Sequence, residues 1–353
     1  PCSIAGLHHS VVTVISQSGS PCTYTHQLTH AFRPVQSASR RTTHRGVVHQ
    51  AALQARPMSD LVVRLVGVGS ALPRGPISNQ LLRDTANLPP ETSVDFMEKK
   101  IGISERFSSR KMPETPDQLP GWDWAKSFGA REGMRNSDLS CTAVKNALEH
   151  ANLTLADLDM LIHASCTPDY PVPPTSSIIQ DKLGIPSLCV MDIRSACCGS
   201  TQGVFTAVQF LKARTFRTIA VVGCDVGSVF GILDCDDPHY TRSDGVNACM
   251  IGDAAACMLL QAVDTESPLA KSGIEVVDVK TCCIGHGKKP GIWLPAGGSN
   301  HPCCHDTVDQ GLHHFLHDYK AVIEHGPQLY MHAVTACLKR NSLSLVDVDL
   351  IIP

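Results

Sequence analysis

No apolar run in this 353-residue sequence approaches the roughly 20 residues needed to cross a bilayer, which excludes a transmembrane helix. Nor is there an excess of positive charge. The formal net charge is −3, which argues against nucleic acid as the main partner. No secretory hydrophobic segment precedes the 16 cysteines, so they read as reduced thiols of a cytosolic or organellar protein. "GDAAA" contains glycine without the spacing of G-x-G-x-x-G, so no dinucleotide site is read there. Residues 1–57 lack Asp, Glu and Lys altogether, and their charge comes from Arg33, Arg40, Arg41, Arg45 and Arg56. Such a composition fits an organelle transit peptide, or leader sequence ahead of the first methionine, Met58. Both readings predict that residues 1–57 form no part of the fold. The location is cytoplasmic, or plastid or mitochondrial if the leader is a transit peptide.

What is present is an ordinary globular mixture, 43% hydrophobic and 18% charged. The run "LVVRLVGVG" from Leu61 reads as a strand, and "SNQLLRDT" and "SVDFMEKK" as short helices. Asn136 or Ser137 caps a helix whose apolar stripe is Leu139, Ala143, Val144, Ala147 and Leu148. Met160–Ala164 reads as a strand and Ser176–Leu183 as a helix. Thr218–Asp225 and "ACMIGDAAACMLLQA" read as further strands, the second with a bulge or turn at Gly252 and Asp253. Strands alternating with helices predict an α/β fold with mostly parallel pairing.

The stretch from Leu188 to Lys212 concentrates the chemistry. An apolar run ending at Ile193 reads as a buried strand, and Val204, Ala207, Val208 and Leu211 mark one face of a helix. Between them "SACCGS" places Cys197 and Cys198 at a small-residue corner. A helix start favours an anion, and the thiolate is the nucleophilic form of cysteine. The corner alone leaves two readings open: a nucleophile, or two buried structural cysteines.

An internal repeat follows. Residues from Cys141 to His163 align without a gap on the C-terminal run from Met331, so that Ala143 faces Ala333, Leu148 faces Leu338 and Asp157 faces Asp347. A helix–loop–strand unit occurs twice, which predicts two related halves.

The segments "LVGVGSALP", "KKIGISERF", "DLDMLIHASCTPD", "MDIRSACCGS", "IAVVGCDVGS", "MIGDAAACMLL" and "VDVDLIIP" together resemble the β-ketoacyl-acyl-carrier-protein synthase III family of the thiolase-like superfamily. The resemblance implies a thiolase-like αβαβα sandwich of two duplicated halves. Residues 58–272 would be the first half, and residues 273–353 an incomplete second one. It implies Cys197 as the nucleophile, because Asp192, Ile193, Ala196, Cys197 and Gly199 fit the family's pattern around that residue. It implies no cofactor. Acyl-CoA and malonyl carrier protein are substrates, and the assembly is a homodimer. Coenzyme A contacts fall on Phe96, Lys100 and Arg242, with Gly245 where the family has a stacking Arg. Met331 stands where the family has a carrier-docking Lys, and Val172 where a bulkier Phe is usual. The family's catalytic His follows the Pro matched by Pro353, and its Asn lies beyond, so residues 58–353 alone are expected to acylate without condensing. Two alternatives remain: acyl transfer or thioester hydrolysis without condensation, and a non-catalytic remnant with a metal site from Cys282, Cys283, His286, Cys303, Cys304 and His305.

Overall fold

The computed structural model describes residues 13–16 and 61–351, apart from 114, 119, 121, 123–128, 272 and 284. Seven strands form its main sheet. In chain order they are β1 (Thr13–Ser16), β2 (Leu61–Ala71), β3 (Met160–Ala164), β4 (Cys189–Ile193), β5 (Thr218–Val226), β6 (Asp253–Asp264) and β7 (Ile274–Val279). Their spatial order is β1-β7-β2-β6-β5-β3-β4. The helices that matter below are α1 (Asn79–Thr85), α2 (Asn136–His150), α3 (Thr175–Lys182), α4 (Gly199–Lys212), α5 (Arg242–Met250) and α6 (Tyr319–Arg340).

Both faces of the sheet are covered. On β5, Ala220, Val222 and Cys224 pack with α2, while Ile219 and Val221 pack with α4. This explains why that strand reads as one continuous apolar run rather than an alternating one. The stripe Val204, Ala207, Val208 and Leu211 of α4 is buried, each side chain contributing about 1–3 kcal/mol. On the other face α2 lies against β2 so closely that a Cβ at Gly69 would meet Ala143 O and Ala147 N at 2.3 Å.

The sheet is mixed, not mostly parallel. β3 pairs in parallel with β4 and β5, but β5–β6, β2–β6, β2–β7 and β1–β7 are antiparallel. Alternation of elements reports how strands are connected, not which way they run. The 12-residue β6 runs back between β5 and β2 and reverses the direction of both ladders.

Three further details depart from the sequence reading. Arg135, not Asn136 or Ser137, caps α2, and the Asp138 carboxylate accepts from Arg135 N at 3.0 Å. The Asn136 side chain is engaged elsewhere, as described below. The "ACM" of "ACMIGDAAACMLLQA" closes α5 rather than opening a strand, because Thr241 and Asp244 start a helix just upstream. The expectation that residues 1–57 stay apart from the fold lies mostly outside the described residues. Its described piece departs from it: Thr13–Ser16 pairs with β7, Thr13 opposite Val279 and Ser16 opposite Glu275. The segment "TVIS" is mostly β-branched and covers a strand edge that would otherwise stay open.

The repeat is visible in backbone detail. After α2 and α6 come left-handed residues at matching positions, Asn152 (φ 53°) and Ser342 (φ 57°). Each is followed by the same one-turn device, with Thr154 N donating to Asp157 and Ser344 N to Asp347, both at 2.8 Å. The first copy then enters β3. Among the described residues the second copy adds no strand after Asp349, and Leu350 is 73% exposed. β3 has a strand partner on either side, and among the described residues Leu350 has none.

Candidate active site

The corner between β4 and α4 is a single tight turn, Ala196–Cys198, leading directly into the helix. Ala196 sits at φ 49°, a left-handed conformation that costs a residue with a Cβ about 1–2 kcal/mol. The helix is seated flush on the sheet through missing side chains. A Cβ at Gly203 would lie 2.7 Å from Val221 Cγ1, and one at Gly223 would lie 2.0 Å from Ser200 Oγ. The turn therefore rides over the ends of β3 and β5 and presents two adjacent cysteines differently: Cys197 is exposed and Cys198 buried. The first turn of α4 has no acidic residue and no side-chain cap, so its free N–H groups remain available to an anion.

Cys197 opens on a cleft of about 310 Å³ lined also by Ala164, Ser200, Gly223, Asp225 and Gly252. The Asp225 carboxylate accepts from Cys166 N at 2.8 Å and from Ser165 Oγ and Thr167 Oγ1 at 3.0 Å. Burial, with the Asp225 charge adding to it, pushes the Cys166 thiol up to about 11. Burial likewise pushes Cys198 up to about 11. Both are therefore held as thiols at neutral pH.

Beneath the cleft lies a buried polar network that sequence reasoning missed. The fully buried His163 lies with Nε2 2.8 Å from Asn136 Oδ1. Asn136 Nδ2 donates to Ser165 Oγ at 2.9 Å, Thr167 O at 3.0 Å and Cys224 O at 2.9 Å. One amide thus ties the start of α2 to the ends of β3 and β5. The only signal in the sequence was a polar residue in the first turn of an apolar-faced helix, and that is ordinarily read as a cap.

Asp192, the first residue of the family pattern, has a structural task. Its carboxylate accepts from Thr175 N at 2.8 Å and Ser176 N at 2.9 Å, the free donors at the start of α3, and lies 3.7 Å from His163 Nδ1. Burial alone would raise its pKa. The neighbouring His163 ring and the bond from Ser176 more than offset this and hold it at about 2, below the usual carboxylate range. A carboxyl depressed on folding contributes stability above its unfolded pKa, and that contribution is lost as pH falls toward the folded value. Asp192→Asn is expected to cost on the order of 2 kcal/mol at pH 7, with the difference shrinking between about pH 4 and pH 2. Urea unfolding of both proteins at pH 7 and pH 3 checks this; a cost that does not change with pH would count against it.

A sequence profile of the family described as 3-oxoacyl-[acyl-carrier-protein (ACP)] synthase III matches residues 191–276, a span that holds the whole Cys197 corner. A β-ketoacyl-[acyl-carrier-protein] synthase III from Caldanaerobacter subterraneus subsp. tengcongensis is 30% identical over 290 residues, 82% of this chain and 75% of that protein. The chain belongs to the β-ketoacyl-[acyl-carrier-protein] synthase III family. A second synthase III, from Chlorobium luteolum, is 29% identical over 80% of this chain and 74% of its own length. The fold agrees. The synthase III structure from Pseudomonas aeruginosa superposes with a TM-score of 0.60 at 20% identity, covering 80% of this chain and 72% of that one. AbyA1, a tetronic acid condensing enzyme, superposes with 0.63 at 24% identity, covering 80% and 75%. These superpositions agree with the thiolase-like fold expected, and membership of the synthase III family makes the protein a condensing acyltransferase by type.

Within the synthase III fold, Phe96 and Lys100 lie on the short helical segment Val94–Ile101, and Arg242 opens α5. Met97, Ala248 and Cys249 share one apolar cluster, so these two segments pack together. Phe96 is half-buried, Lys100 and Arg242 are exposed, and none of the three lines the Cys197 cleft. Gly245 is buried, and a Cβ there would meet Tyr240 Oη at 2.8 Å and Thr92 Cγ2 at 3.1 Å. Met331 is 40% exposed on α6. The metal alternative drawn from Cys282, Cys283, His286, Cys303, Cys304 and His305 is not supported. The four cysteines are exposed, and among the described residues the side chains close enough to hold an ion are other ones.

Proposed function

We propose that Cys197 is the acyl acceptor of this synthase III. Its sulfur attacks the carbonyl of an acyl-CoA and the coenzyme A thiol leaves. Malonyl carrier protein then loses carbon dioxide, and its enolate carbon attacks the acyl-cysteine carbonyl. The C–S bond breaks, the Cys197 sulfur takes up a proton from solvent, and a 3-oxoacyl carrier protein is released. The observation that carries this reading is the division of labour at the corner, an exposed Cys197 at a helix start beside a buried, protonated Cys198. The product belongs to fatty acid or polyketide assembly. A reducing compartment fits the free state of the described cysteines. Coenzyme A would be held at the Phe96–Lys100 segment and Arg242. With no side chain at Gly245, its adenine would stack on Phe96 alone. The test follows acyl-cysteine and 3-oxoacyl product separately after adding acyl-CoA and malonyl carrier protein. Product formation supports condensation, acyl-cysteine without product supports acyl transfer alone, and neither would defeat both.

The homodimer is part of the same proposal. β4 is an edge strand of the sheet, and the loop after β3 carries Val172, 82% exposed, and Tyr170, 51% exposed. An edge strand beside protruding apolar residues favours pairing with a second copy. If Val172 enters the partner's acyl channel, its small size leaves room for chains longer than acetyl. Val172→Phe is expected to shift the ratio of acylation rates toward the shorter donor by roughly tenfold. Stopped-flow acylation with acetyl-CoA and a longer acyl-CoA reads this, and an unchanged ratio would refute it.

A further inference from the structure

Helix α5 and the segment leading into α6 are locked together, although some seventy residues separate them in the chain. Asn247 Nδ2 donates to Phe315 O at 2.7 Å, Ser243 Oγ to His317 O at 3.1 Å, and Tyr319 Oη to Ser243 O at 3.2 Å. This junction gathers Asp237, His313 and His314, whose ligand-type atoms all lie within 4.8 Å of one another.

His314 is the unusual member. Its side chain is 1% exposed, and neither ring nitrogen makes a hydrogen bond. Nε2 lies 3.5 Å from Asp237 Oδ1, and Nδ1 lies 3.1 Å from Asp244 Oδ2 without the alignment of a hydrogen bond. The carboxylates are already engaged. Asp244 accepts from Thr241 N and Oγ1 at 2.7 Å, and Asp237 Oδ1 accepts from His239 N at 2.8 Å. A buried imidazole with both nitrogens idle is costly unless something else occupies them. Two ligands bound to one zinc ion at about 2.0–2.1 Å in tetrahedral geometry stand about 3.3 Å apart. The Nε2–Oδ1 separation is close to that value. The His313 ring, 4.5 Å from the His314 ring between centroids, supplies a third donor from the next residue. Asp244 stands where a carboxylate orients a metal-bound imidazole through its other nitrogen.

We propose that Asp237, His313 and His314 bind one divalent transition-metal ion of the zinc class, with Asp244 orienting His314. Two imidazoles and a carboxylate are a donor set such ions prefer. The ion would clasp the loop before α5 to the segment before α6, away from the Cys197 cleft. The site is independent of the acyl-transfer reading above.

The experiment loads the metal-stripped protein with Zn²⁺, then in parallel with Co²⁺ as a visible probe. One equivalent is expected to bind and to raise the unfolding temperature. The Co²⁺ form is expected to show d–d bands without a thiolate-to-cobalt charge-transfer band. His313→Ala and Asp237→Asn, both at partly exposed positions, are each expected to weaken binding at least tenfold. Replacing Cys282, Cys283, Cys303 and Cys304 together by Ser is expected to leave it unchanged. No saturable binding, a thiolate band, or binding indifferent to both His313→Ala and Asp237→Asn would overturn the proposal.

Discussion

Replacing Cys197 by Ala is expected to eliminate the acyl-cysteine, and with it any 3-oxoacyl product, because the covalent acceptor is gone. Cys198→Ala is expected to behave differently. Cys198 is buried, so its loss leaves a small cavity costing about 1 kcal/mol while the neighbouring sulfur stays in place. Mass mapping of the acylated peptide and a product assay on both variants separate the two. Acylation that survives Cys197→Ala and disappears with Cys198→Ala would assign the wrong sulfur. The comparison is sharp because the two residues share one turn, so a general disturbance of the corner would affect both variants alike.

Gly69→Ala is expected to produce the largest loss of stability from a single methyl group. The new Cβ would stand 2.3 Å from Ala143 O and Ala147 N, which are backbone atoms and cannot swing aside. Helix α2 would have to retreat along its buried stripe of Leu139, Ala143, Val144 and Ala147. A cost of about 3 kcal/mol follows, against a total stability of roughly 5–15 kcal/mol. The unfolding midpoint should fall by roughly 4–5 °C. Gly75→Ala is the control, since nothing lies within 4 Å of a Cβ there. Equal midpoints for the two variants would refute the close-packing argument.

Much of this fold is legible in the sequence wherever one short stretch carries the whole signal. The strand, corner and helix around Cys197 lie within Cys189–Lys212, and their periodicity and small residues locate them directly. The repeat is legible because a helix, a left-handed residue and an Asp-capped turn recur at fixed spacing. Strand direction is not, because β2 and β6 are distant in sequence and an apolar run carries no arrow. The polar network escapes for the same reason. Asn136, His163, Ser165, Thr167 and Cys224 come from three elements, and none looks unusual alone. Asp237 and the His313–His314 pair escape likewise, since only the folded chain sets them side by side. Gly245 is a middle case: the sequence shows a residue without a side chain, and the structure places Tyr240 Oη where a Cβ there would meet it.

The Asn136 amide carries a consequence for how the cleft breathes. Its bonds to Ser165, Thr167 and Cys224, with Thr167 Oγ1 in turn accepting from Val226 N at 2.7 Å, leave no strand end below Cys197 free to fray alone. Opening any one of them strands a buried donor or acceptor in its neighbours, so β3, β5 and the first turn of α2 open together as one cooperative unit. Amide hydrogens across that floor therefore exchange with solvent by a common, rare event.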